Sequence, residues 1–333
     1  MRRASSAPIP GRSYLAGIIA IGALLVAALG LLAIDRTMRA SALEEAKSAA
    51  QNEAAILAEG LESELDKFSM VPLVLARDPQ VQSLMAGNSG QQRGLNQRLE
   101  QLAGQTGAAV IYLMNRDGVT LVASNWNQPD SFVGFTNALR PYFINAWASG
   151  MATQFAMGTV SRRPGLYISR RIDGPSGPVG VVAVKVEFNP VEASWAKATS
   201  GVYVTDAEGV VLVTSNPAWR FNATRPFAPG TRDAAKDLRQ FGKAELPPFD
   251  PNAVGGQDRD PRLIDTSQPV ASLDWNLHLL SDPSPSLAAA EANARSLFLL
   301  LLVLAVAIAG LVAFGIRRRE ARAAALLDER TGR

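Results

Sequence analysis

The sequence predicts an α+β protein, a long N-terminal helix followed by two tandem modules with antiparallel sheets, flanked by two transmembrane helices. Three observations carry that prediction. Two uncharged apolar runs, Tyr14 to Ile34 and Leu297 to Ile316, lie near the chain ends. An apolar stripe at three- and four-residue steps extends from Thr37 to about Phe68. A β-hairpin sequence occurs twice, at 112–125 and again at 203–216.

Each apolar run has about 20 residues, enough to cross a bilayer core as helix. Arg2, Arg3 and Arg12 precede the first run, and Arg317, Arg318 and Arg319 follow the second. The positive-inside rule then puts both chain ends in the cytoplasm and residues 35–296 outside the membrane. Ala40-Ser41-Ala42 offers a signal-peptidase site. Against cleavage stand the length of the run and Asp35, Arg36 and Arg39 ahead of that site.

Leu43, Ala46, Ala50, Leu57, Leu61, Leu65 and Phe68 mark a helical stem. Its alanine-rich stripe lets another helix approach closely, from its own domain or from a second subunit, and a homodimer is expected. Pro72 and Asp78-Pro79 punctuate the next segment, Gly87 to Gly90 reads as a loop, and Leu95 to Gln105 as a short helix.

Strand chemistry begins at Ala108. YLMNRDGVTLVASN at 112–125 aligns without gaps to YVTDAEGVVLVTSN at 203–216, with identities at Tyr112/Tyr203, Gly118/Gly209, Val119/Val210, Leu121/Leu212, Val122/Val213, Ser124/Ser215 and Asn125/Asn216. This repetition implies two similarly folded modules in tandem. The first continues through Phe135–Tyr142 into strands near 154–160, 165–172 and 179–188. A helix at about Pro190 to Lys197 leads to the second module, whose middle, 217–260, reads as long loops before strands near 266–271 and 275–280. Helices are expected on one side of the sheets. The expected segments are 1–13 cytoplasmic, 14–34 first span, 35–107 stem, 108–190 membrane-distal module, 191–285 membrane-proximal module, 286–316 second span with its lead-in, and 317–333 a short cytoplasmic tail.

Several function classes are excluded or disfavoured. There is no cysteine and one histidine, His278, so thiolate sites and His clusters within one chain are impossible. A net charge of +3 gives no case for nucleic-acid binding. No G-x-S-x-G, Walker A or H-E-x-x-H motif occurs, so no catalytic or metal residues are assigned and no cofactor is expected in this chain.

The chemistry concentrates between Phe135 and Phe188, where cations, hydroxyls and aromatic rings recur on adjacent elements. That combination suits a small dianion. Lys185 interrupts an otherwise apolar strand, which costs energy unless the lysine is paired or faces solvent at a sheet edge. Tyr167 and Ser169 share a face by period-two alternation. Arg140 precedes Pro141, Tyr142 and Phe143, and Arg162 and Arg163 occupy a turn. Each of these arginines has the plainer reading of a solvated or salt-bridged surface residue.

The segments SNWNQPDSFVGFTNALRPYF (124–143), MGTVSRRPGLYISRRI (157–172), VVAVKVEF (181–188) and YVTDAEGVVLVTSNPAWR (203–220) resemble the double-Cache (tandem PAS-like) sensor region of bacterial C4-dicarboxylate transport sensor histidine kinases. The resemblance implies a ligand pocket in the membrane-distal module. Carried over residue by residue, it makes Arg140 and Lys185 the carboxylate anchors and Tyr142, Ser161, Tyr167 and Ser169 hydroxyl donors, with Arg163, Asn125 and Trp126 in supporting places. Amino-acid-sensing relatives carry an aspartate where this chain has Lys185, and a cation there selects a second carboxylate over an amine. The chain has GLYIS where the family usually has GYYLS, so Leu166 replaces an aromatic. The resemblance further implies succinate, fumarate or malate as ligand, the inner membrane as location, and a response regulator as partner through a kinase domain that these residues do not contain; ATP would matter only to that domain. Two other outputs fit the same residues: the input region of a chemoreceptor or other signalling protein for a different small anion, and an anchored binding protein without a kinase.

Overall fold

A computed structural model describes residues 11–331 apart from 199–200, 228–229, 231–232, 234–235, 237–239, 244 and 251–262. The chain forms two compact units, Met1–Ala49 with Asp282–Arg333, and Ala50–Ser281.

The first unit contains the start of helix α1 (Gly11–Ala76) and helix α6 (Ser284–Thr331). Here Arg39 reaches Asp35 one turn back at 2.9 Å and Glu291 of α6 at 3.0 Å. Among the described residues one helical stretch, Ser284–Ile308, is long and apolar enough to cross a membrane by length and composition. The run 14–34 lies within α1, whose side chains are described only from Ala28 onward, so the expected first span falls largely outside the described residues.

In the second unit α1 continues to Ala76 with Pro72 inside it, rather than breaking at that proline. Pro72 forfeits one backbone hydrogen bond. Phe68, Val71 and Leu75 on either side are buried in the core, and that burial outweighs the loss. Two short helices had no counterpart in the periodicity reading. Helix α2 (Pro79–Met85) is capped by the Asp78 carboxylate, which accepts from Gln80 N at 2.8 Å and Val81 N at 3.2 Å. Helix α3 spans Gln92–Thr106, and α4, the second unforeseen helix, spans Pro141–Ser149. Proline at the first helical position and a left-handed Gly150 just past the end are the signals that mark α4.

The first sheet has strands β1 (Val110–Asn115), β2 (Thr120–Ala123), β3 (Met151–Met157), β4 (Pro164–Gly174) and β5 (Gly177–Val186) in the order β2-β1-β5-β4-β3, all antiparallel. The connection between the strands expected near 165–172 and 179–188 is shorter than the gap between them, because β4 and β5 pair as far as Gly174 and Gly177. Helix α5 (Asn189–Ala198) leads to the second sheet, β6 (Gly201–Thr205), β7 (Val211–Thr214), β8 (Ile264–Val270) and β9 (Trp275–Ser281), ordered β7-β6-β9-β8.

The repeated hairpin is repeated in three dimensions. Tyr112 pairs Ala123 and Tyr203 pairs Thr214, each hairpin shifts register two residues further on, and the Ser124 and Ser215 hydroxyls accept from the backbone N–H of Ile111 and Val202 at 2.9 and 3.0 Å. Gly118 and Gly209 take φ of +74° and +86° at the turns, which explains their identity.

Helices cover the first sheet on both faces, not one. Ile111, Leu113, Val182, Val184 and Val186 join Leu61 and Leu65 of α1 and Leu95 and Leu99 of α3. The opposite residues, Val110, Tyr112, Val181, Ala183 and Tyr167, pack with Tyr142, Phe143 and Ala146 of α4. The layer under α4 is where the candidate residues converge. Phe155 on β3 sits 5.9 Å from Trp275 and 6.1 Å from Phe188, so an aromatic cluster joins the two modules.

Candidate functional site

Strand β5 is central, paired on both sides, and alternates between the two apolar layers. Alternation sends Val182, Val184 and Val186 toward α1, and Val181, Ala183 and Lys185 toward α4. Lys185 is flanked across the sheet by Val110 and Tyr167 and is 0% exposed. It is therefore not an edge-strand lysine. Its ammonium donates to Ser161 Oγ at 2.8 Å and to Glu187 Oε1 at 2.5 Å. Burial pushes the Lys185 pKa below its ordinary 10.5, with Glu187 opposing that shift, Arg163 adding to it and Asp130 opposing it.

Two glycines make room for this cation. A Cβ on Gly165 would lie 2.6 Å from the Val186 carbonyl oxygen and 3.0 Å from Lys185 Cε. A Cβ on Gly158 would lie 2.5 Å from Ser161 Oγ and 3.1 Å from the Tyr167 hydroxyl. Between them the turn residue Arg162 holds a φ of +53°, a conformation that bulky side chains rarely take. That turn folds Ser161 back over the lysine.

Arg140 is the extended residue that caps α4, with Pro141 behind it. Its guanidinium donates to the Met157 carbonyl at 3.1 Å and lies 5.8 Å from both the Tyr142 and Tyr167 ring centroids. Those two rings stack, 4.7 Å apart and within 4° of parallel. The Tyr112 hydroxyl donates to the Tyr142 hydroxyl at 2.8 Å, which donates to Asn137 Oδ1 at 2.9 Å. Burial pushes the Tyr142 pKa up to about 12 and those of Tyr112 and Tyr167 up as well. All three phenols stay protonated near neutrality and remain donors.

A cavity of about 660 Å³ opens beside Arg140, lined also by Gln154, Met157, Gly158 and Arg162, and by Lys236 and Gln240 from the second module. Gly158 lines this cavity and packs against Ser161, whose hydroxyl holds Lys185; Lys185 itself does not line the cavity.

The candidate residues divide into two groups. Arg140, Tyr142, Tyr167, Ser161, Arg163 and Lys185 are linked through shared neighbours around this locus; Arg163 Nε lies 3.4 Å from the same Glu187 oxygen that Lys185 holds, and Arg163 Nη2 lies 3.9 Å from Asp130. The other three are engaged elsewhere. Ser169 Oγ lies 2.8 Å from the Tyr142 carbonyl oxygen and 3.0 Å from that of Ala152, where it fastens α4 to β3. Asn125 donates to the Asp130 carbonyl at 2.7 Å and accepts from Phe132 N at 3.2 Å, which shapes the loop. The Trp126 indole donates to Glu100 of α3 at 3.0 Å. The sequence reading missed Glu187, Gly158, Gly165, Tyr112 and Asn137. Of these Tyr112 is marked by its identity with Tyr203 in the repeat; Glu187 stands two residues from Lys185, a spacing that alone does not separate it from a solvated carboxylate.

The second module repeats the frame without the cation. Register places Tyr203 where the first module has Tyr112, and Leu280 where it has Lys185. His278 takes the place of Ala183, stacks on Tyr203 at 4.6 Å and lies 3.4 Å from Asp265. Among the described residues no group of three His, Asp or Glu side chains could hold a metal.

No protein-family model matches the chain. Two curated relatives do. The C4-dicarboxylate transport sensor protein DctB of Rhizobium meliloti is 40% identical over 284 residues, 81% of this chain and 45% of the relative. The protein of the same name from Pseudomonas aeruginosa is 36% identical over 171 residues, 51% of this chain and 28% of the relative. The chain thus spans less than half the length of either. Among solved structures, the histidine kinase DctB sensor domain of V. cholerae superposes with a TM-score of 0.62 at 27% identity, over 72% of this chain and 97% of that one. The Pseudomonas fluorescens chemoreceptor CtaA domain with L-isoleucine shares the fold, with a TM-score of 0.53 at 17% identity over 76% of this chain and 99% of that one.

Proposed function

We propose that this chain, whose sensor region is related to those of the C4-dicarboxylate transport sensor proteins, binds a C4-dicarboxylate such as succinate, fumarate or malate in its membrane-distal module and reports the occupancy across a membrane. The observation that carries the reading is Lys185, a cation with no exposed surface at the centre of an apolar sheet. A buried charge of this kind needs a partner charge, which Glu187 supplies in the free protein and a ligand carboxylate supplies in the complex. Arg140 supplies the second cation, and the stacked tyrosines form an apolar wall between them suited to a short carbon chain. Leu280 in place of Lys185 argues that the second module does not bind the same ligand.

In this reading residues 35–296 lie in the periplasm between two membrane spans, the chain pairs with a second copy, and a kinase domain beyond these residues passes the signal to a response regulator. Ligand binding favours one of two arrangements of the distal module, and the chain signals by that difference in population. The test is a titration of the full chain in detergent micelles against succinate, malate and fumarate, with L-alanine and L-isoleucine alongside. Binding of the diacids alone is expected. Binding of the amino acids and not the diacids would replace this reading with that of an amino-acid input domain.

A further inference from the structure

Lys185 already holds a carboxylate. Glu187 lies two residues on, on the same face, with its side chain 10% exposed, and its Oε1 receives the ammonium at 2.5 Å. Arg163 approaches the same oxygen at 3.4 Å. One internal carboxylate thus engages two of the cations expected to meet a ligand, and the Ser161 hydroxyl completes the lysine's shell. We infer that Glu187 is a built-in competitor, an intramolecular stand-in for the ligand's carboxylate that must leave Lys185 before a dicarboxylate can bind.

The geometry gives it a way out. Glu187 lies just past the end of β5, beyond the last paired residue, Val186. The Arg163 side chain beside it is 58% exposed, so the two can move toward solvent together as a pair. Lys185, at 0% exposure and locked in the central strand, cannot follow. The exchange therefore trades one carboxylate on a fixed cation for another. A ligand with a second carboxylate for Arg140 gains a contact in the exchange; a ligand with one carboxylate only replaces what was there. Glu187 also lets the lysine remain charged in the free protein, since without it the cation would be buried with only a hydroxyl partner.

This inference rests on the reading that Lys185 receives a ligand carboxylate, and a double-mutant cycle in the full chain separates the two. Succinate affinity is measured by calorimetry for wild type, Glu187→Gln, Lys185→Ala and the double variant. Glu187→Gln keeps the shape and a hydrogen-bonding oxygen but removes the charge, and it is expected to bind succinate about tenfold tighter, the scale of one charge-assisted hydrogen bond. In the Lys185→Ala background the same change is expected to have no effect, because the competition runs through the lysine. If Glu187→Gln does not fold, Glu187→Asp, which keeps the charge on a shorter arm, is expected to bind a few-fold tighter than wild type. Unchanged or weaker binding in the folded variant overturns the inference and makes Glu187 a positioning residue for Lys185, while the dicarboxylate reading stands if wild type still binds. Wild-type affinity in Lys185→Ala removes both.

Discussion

At the residue scale, the Lys185 charge is the sensitive quantity. Its pKa lies below 10.5 in the free protein because burial disfavours the ammonium. The free protein already has Glu187 on the ammonium, but a bound dianion brings more negative charge into the site than the carboxylate it displaces, so the pKa rises on binding. Affinity for succinate is then full below the free-state pKa and falls as pH rises through it. Titrations stepped from about pH 7 to pH 10.5 should show weakening that begins before an ordinary lysine titrates; constant affinity across that range counts against Lys185 as an anchor. Gly165 gives a second test. Gly165→Ala brings a methyl against the Val186 carbonyl and Lys185 Cε, and overpacking of this kind costs about 1–3 kcal/mol. Thermal unfolding of the variant should show that loss together with weaker succinate binding, and an unchanged melting temperature would mean the strands spread without cost. The lysine was legible because it breaks an apolar strand. Its partner was not, because an acid just past a strand end looks like any solvated carboxylate until the fold shows it 10% exposed beside a cation.

At the element scale, the repeated hairpin was legible to its register, since the matching glycines and serines each have a backbone duty, positive φ at the turn and a hydroxyl that accepts a backbone N–H. Helix α4 was not, although it covers the site. Its nine residues are too few for periodicity to separate them from a strand, and only Pro141 and Gly150 mark its ends. The sequence also expected α1 to stop near Pro72, where the packing of Phe68, Val71 and Leu75 carries it through. The join between modules rests on Phe155, which meets Phe188, Phe221 and Trp275 within 6.2 Å. Phe155→Ala should cost about 3–5 kcal/mol as a buried aromatic truncation. A second effect distinguishes a junction from a plain core position. The variant should unfold in two steps where wild type unfolds in one, as followed by calorimetry. A single transition at lower temperature would show that the cluster stabilises one module without coupling the two.

At the scale of the whole molecule, the site is assembled from residues spread between Arg140 and Glu187, which the first sheet and the packing of α4 on it bring together. The sequence located that stretch, but not which of its polar side chains are engaged within the fold. Ser169, Asn125 and Trp126 all bond inward to main chain or to α3. Membrane topology can be tested directly because the chain has no cysteine. A single Ser89→Cys should react with a membrane-impermeant maleimide in cells with a permeabilised outer membrane, while Arg333→Cys should be protected until lysis. Equal labelling of both positions would refute the two-span arrangement. The central claim is that Lys185 receives a dicarboxylate, and its most direct test is calorimetric titration of the full chain in detergent with succinate, for wild type and Lys185→Ala side by side. The account predicts saturable binding by wild type and a loss of roughly a hundredfold or more in the variant, the scale of removing one partner from a buried charge pair. A folded wild type that binds no dicarboxylate, or a Lys185→Ala protein that binds as tightly, would contradict it.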